Sequence, residues 1–275
     1  MENLEALAYD LRKDAVDIIM AGGGGHIGGD LSSAEILTEL FYEEMRVGPD
    51  RTDDPARDRF LLSKGHSMEM YYAVLCGRGF LDLDAVRTGF SRFGTPYIGH
   101  PNNKLPGIEM NSGSLGHGLP VAVGMALALR MDGLDSRVYV VTGDGELAEG
   151  SNWEAFMSGA MYGLDNLCCV IDRNRLQISG GTEDVMALDS LAEKVRAFNW
   201  HVIEVADGNS IPALRAAFAE ARAVKGKPSC VIADTVKGKG SPVTENRAEW
   251  HHRLPTQAEY ERIIADFAAR KEALS

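Results

Sequence analysis

The chain has 275 residues, 45% of them hydrophobic and 25% charged, enough to bury a sizeable core as one large α/β domain with a tail. Its 28 Lys and Arg residues against 40 Asp and Glu leave a net charge of -12, which disfavours a nucleic-acid backbone or an anionic membrane as the main partner. The opening MENLEALAYDLRKD lacks a basic segment followed by an apolar one, and no later apolar run reaches the ~20 residues needed to span a bilayer, so the chain reads as cytoplasmic.

Taken in order, Leu4 to Ile19 and Ser33 to Glu44 carry helical spacing, with Ser32 or Ser33 a plausible N-cap for the second, so the N-terminal part is expected to be mainly helical. GGGG at Gly22 to Gly25 invites a phosphate-loop reading, but no GK[ST] follows, and glycines after a helix suffice to terminate it. Phe93 to Gly118, dense in Gly, Pro and Asn, resists regular structure. Leu119 to Met131 is again helical. Apolar runs at Arg137 to Thr142, Leu167 to Ile171, His201 to Val205 and Cys230 to Ala233 look like buried parallel strands. Helical patterns at Asn152 to Met161, Leu188 to Phe198 and Ile211 to Val224 separate them, the alternation that a mostly parallel sheet flanked by helices requires. Lys237 to Pro255 is a second irregular stretch; KGKG within it reads as the hinge of a closing loop with solvated lysines. A surface helix capped by Thr256, about 256–274, ends what is expected to be a single domain over 1–275.

Four cysteines, Cys76, Cys168, Cys169 and Cys230, show no CxxC spacing and read as buried, idle thiols; on a strand Cys168 and Cys169 face opposite sides of the sheet. The strongest local signal is GDGELAEG, Gly143 to Gly150, where a strand ends and a helix is about to begin. In open α/β sheets ligands bind outside the carboxyl ends of strands, where glycines such as Gly145 let backbone N–H groups approach an anion and a carboxylate holds a cation. Asp144 is the candidate metal ligand. Asn174 follows thirty positions later, about one strand-helix-strand crossover, so the two can meet at one sheet edge. Magnesium seldom takes six oxygens from protein, so one carboxylate, the Asn174 amide oxygen and the Leu176 carbonyl leave room for diphosphate and water. A tight turn at GDG and a strand-end turn at Asn174 is the competing reading of either motif alone; their paired placement favours the metal.

Gly-Asp-Gly, some thirty residues, then Asn resembles the thiamine diphosphate signature, and GHIGG (Gly25 to Gly29), DRFLLSKGHS (Asp58 to Ser67), GHP (Gly99 to Pro101), GSLGHGL (Gly113 to Leu119) and WHH (Trp250 to His252) resemble transketolase motifs in the family's order. The resemblance implies the thiamine-diphosphate-binding fold, with thiamine diphosphate and Mg2+, or Ca2+ or Mn2+ in its place, as cofactors. It implies that His26, His66, His100 and His251 line the funnel to the thiazolium ring, His26 and His251 nearest a sugar's hydroxyls and His66 nearest the diphosphate. Imidazoles there would exchange protons with the sugar while the cofactor stores the carbanion. His117, His201 and His252 stay outside this set, His252 because it occupies a position usually held by Gly. Gly113, Ser114 and Leu115 are expected to pass the cofactor by backbone contacts, and Glu149 matches an acidic position at the family's subunit interface.

In this family a second domain binds the aminopyrimidine, and only about one helix of sequence follows WHH. The resemblance therefore implies the N-terminal (A) half of a split bacterial-type transketolase, acting on sugar phosphates as a heterotetramer with a separate C-terminal (B) transketolase subunit. The competing readings are the α subunit of a thiamine-dependent 2-oxo acid dehydrogenase, expected to lack SKGH and GHP; deoxyxylulose-phosphate synthase, a single long chain; and a non-catalytic cofactor-binding subunit. Ordinary pentose phosphates are the default substrates, with a branched or sulfonated donor open.

Overall fold

The computed structural model describes residues 3–274. Asn3 accepts the Ala6 N–H at 3.3 Å to start α1 (Leu4–Gly22), and Gly23, at φ +81°, ends it by donating its N–H to Ile19 O. A left-handed C-cap is the position where a residue without Cβ is cheapest, so the tetraglycine begins as a helix stop.

The expected helix over 33–44 is differently built: α2 (Ile27–Ser32) starts earlier, a break falls at Ser33, and α3 (Ala34–Glu39) runs into a π-helical turn over Leu40–Glu44. Ser33 occupies the N-cap of α3, but its hydroxyl donates back to Gly29 O and Asp30 O instead of accepting a helix N–H. Such back-bonding competes with the helical ladder and bends it. The edge strand β1 (Arg59–Leu62) and the helices α4 (Met68–Gly77) and α5 (Leu83–Gly89) have no counterpart among the sequence expectations. Almost every residue of α4 is buried, so no polar face marks its period.

After the irregular stretch come α6 (Gly118–Met131), β2 (Val138–Gly143), α7 (Gly150–Met161) and β3 (Leu167–Arg173). A small antiparallel pair, β4 (Leu176–Gln177) and β5 (Gly180–Gly181), and two short helices, α8 (Thr182–Val185) and α9 (Leu191–Ala197), lead to β6 (His201–Val205), α10 (Ile211–Ala223) and β7 (Ser229–Asp234). The main sheet has the order β1-β2-β3-β7-β6, with all neighbours parallel. The expected strands and their alternation with helices are therefore present, with β1 added at the edge.

Alternate residues of each inner strand enter different cores. Tyr139, Val141, Cys168 and Val170 pack with α1, α3, α4 and α10 on one face, while Val138, Val140, Cys169 and Ile171 pack with α6, α7 and Trp200 on the other. Burial on both faces explains why these strands read as continuous apolar runs. Cys168, Cys169 and Cys230 are buried free thiols and Cys76 is half-buried. The last helix, α11 (Gln257–Glu272), begins at a capping box between Thr256 and Glu259 and docks on α1 through Ile263, Phe267 and the Lys271–Asp10 ion pair. Among the described residues no helix is long and apolar enough to cross a membrane.

Candidate functional site

Because the sheet is parallel, the turns after β1, β2, β3 and β7 emerge at one edge. They carry Lys64 and His66, Gly143 to Glu146, Asn174 and Leu176, and Lys237. Together with His26 at the start of α2, His100, Gly113, Leu115 and His251, they line a cavity of about 380 Å³. The structure thus brings together His26, His66, His100, His251, Gly113, Leu115, Asp144, Gly145, Asn174 and Leu176. Ser114 is exposed and does not line the cavity, and Glu149 is exposed at the N-cap of α7.

Asp144 is 2% exposed. Its carboxylate accepts the Gly145 N–H at 2.8 Å, the Arg175 N–H at 2.6 Å and Arg173 Nη1 at 3.2 Å. Burial, and then Asp172, raise its pKa against these donors. Asn174 Oδ1 accepts the Leu176 N–H at 3.2 Å, and Leu176 O accepts Lys237 Nζ at 3.2 Å. These donors fit a hard dication on two counts. The set offers one carboxylate, one amide and one carbonyl oxygen on a single cavity wall, and two of the three already hold a cationic group, the guanidinium on Asp144 and the ammonium on Leu176. No group of three His, Cys, Asp or Glu side chains able to hold a metal occurs among the described residues.

The lysine of KGKG expected to be solvated is the opposite. Lys237 is 2% exposed, and burial, with Lys64 nearby, lowers its ammonium to about 8. Lys239 is half-buried. The sequence pattern of a glycine-flanked lysine suggests mobility, but the Gly238 N–H donates to Gly28 O at 2.9 Å and draws the segment under α2. An acidic protein thereby acquires a local cationic pocket.

Three further residues belong to the site without having been singled out by the sequence. Asp172, fully buried, accepts Lys64 Nζ, Ser32 Oγ at 2.6 Å, Thr235 Oγ1 and Asn174 Nδ2 at 3.3 Å. Burial pushes its carboxyl up, but Lys64 and the hydroxyls outweigh that and hold it below the ordinary carboxylate value. Glu146 accepts Ser63 Oγ, the Gly116 N–H at 2.8 Å and the Gly143 N–H at 3.0 Å, tying the 113–118 turn to the GDG turn. Lys64 stands within SKGH and Glu146 beside GDG, so motif position was the available signal; their partners are distant in sequence.

The histidine rings form one cluster. His26 lies 5.3 Å from His66, 6.2 Å from His100 and 5.8 Å from His251, centroid to centroid, and His66 lies 5.1 Å from His251. His252, set aside on sequence, is 4.6 Å from His26, nearer than any of these, yet it is exposed and does not line the cavity. His251 is the last residue of a 3₁₀ turn, Ala248–His251, and His252 its extended C-cap, so the two side chains leave the chain in different directions. His117 is exposed, and His201 bonds Glu220 at 2.7 Å away from the site.

Burial is the main cause that lowers His26 to about 4, His251 to about 3 and His66 well below its ordinary value, with neighbouring imidazoles and lysines adding to it; burial alone lowers His100. These imidazoles are therefore neutral at pH 7, and Nδ1 of both His26 and His251 is buried without a protein partner. Since the folded chain binds fewer protons than the unfolded one, this stability is complete above the ordinary value of 6.5 and declines as pH falls toward about 4 and 3. We expect His26→Gln and His251→Gln each to flatten the loss of Tm on acidification over that window. A variant slope equal to wild type would show that the histidines carry no such linkage.

Comparison with known proteins agrees with this geometry. Residues 4–264 match the family described as transketolase, thiamine diphosphate binding domain. The chain is 45% identical over 100% of its length, and 97% of the relative's, to an apulose-4-phosphate transketolase subunit from Phocaeicola vulgatus. It is 37% identical, covering 96% of each, to a 6-deoxy-6-sulfo-D-fructose transketolase subunit from a Clostridium species. The solved transketolase from Leishmania mexicana superposes with a TM-score of 0.87 at 30% identity; the whole of this chain spans 46% of that one. With the family match spanning residues 4–264 and near-full-length relatives at 45% and 37% identity, the chain belongs to the transketolase family as a thiamine diphosphate-binding domain.

Proposed function

We propose that this chain, read as one domain over 1–275, is the diphosphate-binding subunit of a two-chain transketolase that moves a two-carbon ketol unit from a ketose to an aldose phosphate. The observation that carries the reading is the joining, in one cavity, of an Asp144–Asn174–Leu176 oxygen set to four neutral imidazoles. Thiamine diphosphate, when bound, supplies storage of the carbanion. Asp144, Asn174 and Leu176 O would hold Mg2+, while Lys237, His66 and the backbone of Gly113, Leu115 and Gly145, which line the same cavity, would contact the diphosphate. A buried ammonium beside the cavity compensates anionic oxygens strongly because few waters screen it.

His26, His100 and His251 are assigned to the sugar. A neutral imidazole can accept a hydroxyl proton and return it, and positioned acid-base groups typically contribute about 10² to 10⁴ in rate. An exposed Glu149 beside Gly116 is assigned to the subunit interface. Two near-full-length relatives named as subunits support a separate pyrimidine-binding partner, and we infer a heterotetramer in the cytoplasm. Their substrate names extend the sugar choice from pentose phosphates to apulose 4-phosphate and 6-deoxy-6-sulfo-D-fructose. The 2-oxo acid dehydrogenase reading is not favoured by any of these relatives.

Co-expression with a partner chain and a ketol-transfer assay tests the proposal. Cofactor with Mg2+ at roughly one hundred times its Kd adds about 2.7 kcal/mol of stability, and we expect a large thermal shift for the complex and a small one for the isolated chain. Equal shifts would count against a shared site, and a complex that binds cofactor without turnover would leave the non-catalytic reading.

A further inference from the structure

Asp30 and Glu69 are both fully buried and are not used by the chemistry assigned above. They lie on α2 and α4, which pack on each other, and each carboxyl is an electrostatic neighbour of the other. Asp30 Oδ1 accepts the Met70 N–H at 3.0 Å. Asp30 Oδ2 and both Glu69 oxygens are buried without a well-formed hydrogen bond from any donor. Two carboxylates with unpartnered oxygens face to face in a dry contact cannot both be ionised; an acid proton between them turns repulsion into a hydrogen bond.

We propose that Asp30 and Glu69 share one proton and that this acid pair positions His26 and His66 by locking α2 against α4. His26 is the residue immediately before α2, and His66 stands two before α4. Glu69 also packs under the chain leading into His26: a Cβ at Gly25 would lie 2.4 Å from its Oε1. The pair therefore joins the two helix starts that present the imidazoles, and its second ionisation would push them apart.

The surroundings agree. Burial raises Asp30 to about 7 and, with Asp30 as the next cause, raises Glu69 well above its ordinary value. Lys64, from the turn after β1, and the Met70 N–H oppose this at Asp30, and the backbone N–H groups of Glu69 and His26 oppose it at Glu69. Tyr72, one turn along α4, is raised by burial and then by Glu69, so it brings no charge. An acid raised in the folded state stabilises fully below its ordinary value, 3.8 for Asp30, and that stability is lost as pH rises through about 7.

Three measurements on the full chain and its complex decide the matter. Infrared spectra of the wild type at neutral pH should show a protonated-carboxyl band that fades on alkalinisation and is missing from Asp30→Asn/Glu69→Gln. Asp30→Asn should flatten the fall of Tm with rising pH and move the alkaline limb of ketol transfer upward by roughly one pH unit or more. Asp30→Ala should lose activity that Asp30→Asn largely restores, because the amide can still bridge. A wild type without the band, or an Asn variant as damaged as the Ala variant, overturns the proposal. The positioning role rests on the transketolase reading, but the band and the stability slope do not, so a complex inactive in every form would remove the activity assignment and leave the acid pair to be judged on its own.

Discussion

Asp144→Ala and Asp144→Asn are both expected to abolish metal-dependent cofactor binding in the assembled complex while the chain still folds. A hard dication needs a charged oxygen, and among the three oxygens assigned to it only Asp144 carries one. The loss should exceed the ~10–100-fold that changes around a metal ligand usually cost, because here the ligand itself is removed. Asp144→Asn is the cleaner variant. It keeps one oxygen, so one of the two backbone N–H groups that now bind separate carboxylate oxygens, Gly145 on Oδ1 and Arg175 on Oδ2, stays paired, whereas Asp144→Ala would strand both at a cost of about 1–3 kcal/mol each when buried. Arg173 retains Thr182 Oγ1 at 2.9 Å and Glu183 Oε1 at 2.5 Å in either case, so it is not left alone. Calorimetric titration of cofactor and Mg2+ into the complex checks this; unchanged affinity in Asp144→Asn would sink the metal assignment.

His26→Ala and His251→Ala, each in the reconstituted complex, are expected to lower kcat/KM for ketol transfer by about 10² to 10⁴, or roughly 2.7 to 5.4 kcal/mol of transition-state stabilisation, with cofactor affinity nearly intact. Their rings meet edge to face with centroids 5.8 Å apart, and each has a buried Nδ1 free of protein partners. His66→Ala should differ: placed beside Lys64 and toward the diphosphate, it should weaken cofactor binding, and excess cofactor should restore part of the rate. His252→Ala is the informative control, since its ring is the nearest to His26 but stands outside the cavity. Steady-state rates across a cofactor titration separate these cases. Full rescue of His26→Ala by cofactor, or greater damage from His252→Ala than from His251→Ala, would reverse the allocation.

By itself the sequence determined the parallel sheet, through four apolar runs alternating with helical periods, and it placed Asp144 and Asn174 at one sheet edge, because Gly143, Asp144 and Asn174 stand at the ends of two strands one crossover apart. It also placed four histidines by motif order. What it left out has a common physical cause: the deciding partner lies far along the chain. β1 was hidden because an edge strand of four residues, Arg59 to Leu62, gains its identity only by pairing with β2. α4 was hidden because burial on every side erases its period. Lys237 looked like a solvated hinge lysine until the Gly238–Gly28 contact carried it beneath α2 and onto Leu176 O. Asp30 and Glu69 belong to no motif in the sequence, and only the packing of α2 on α4 strips both of water and sets them against each other. Local pattern determines which groups are available, whereas desolvation, which depends on everything packed around a group, decides its charge.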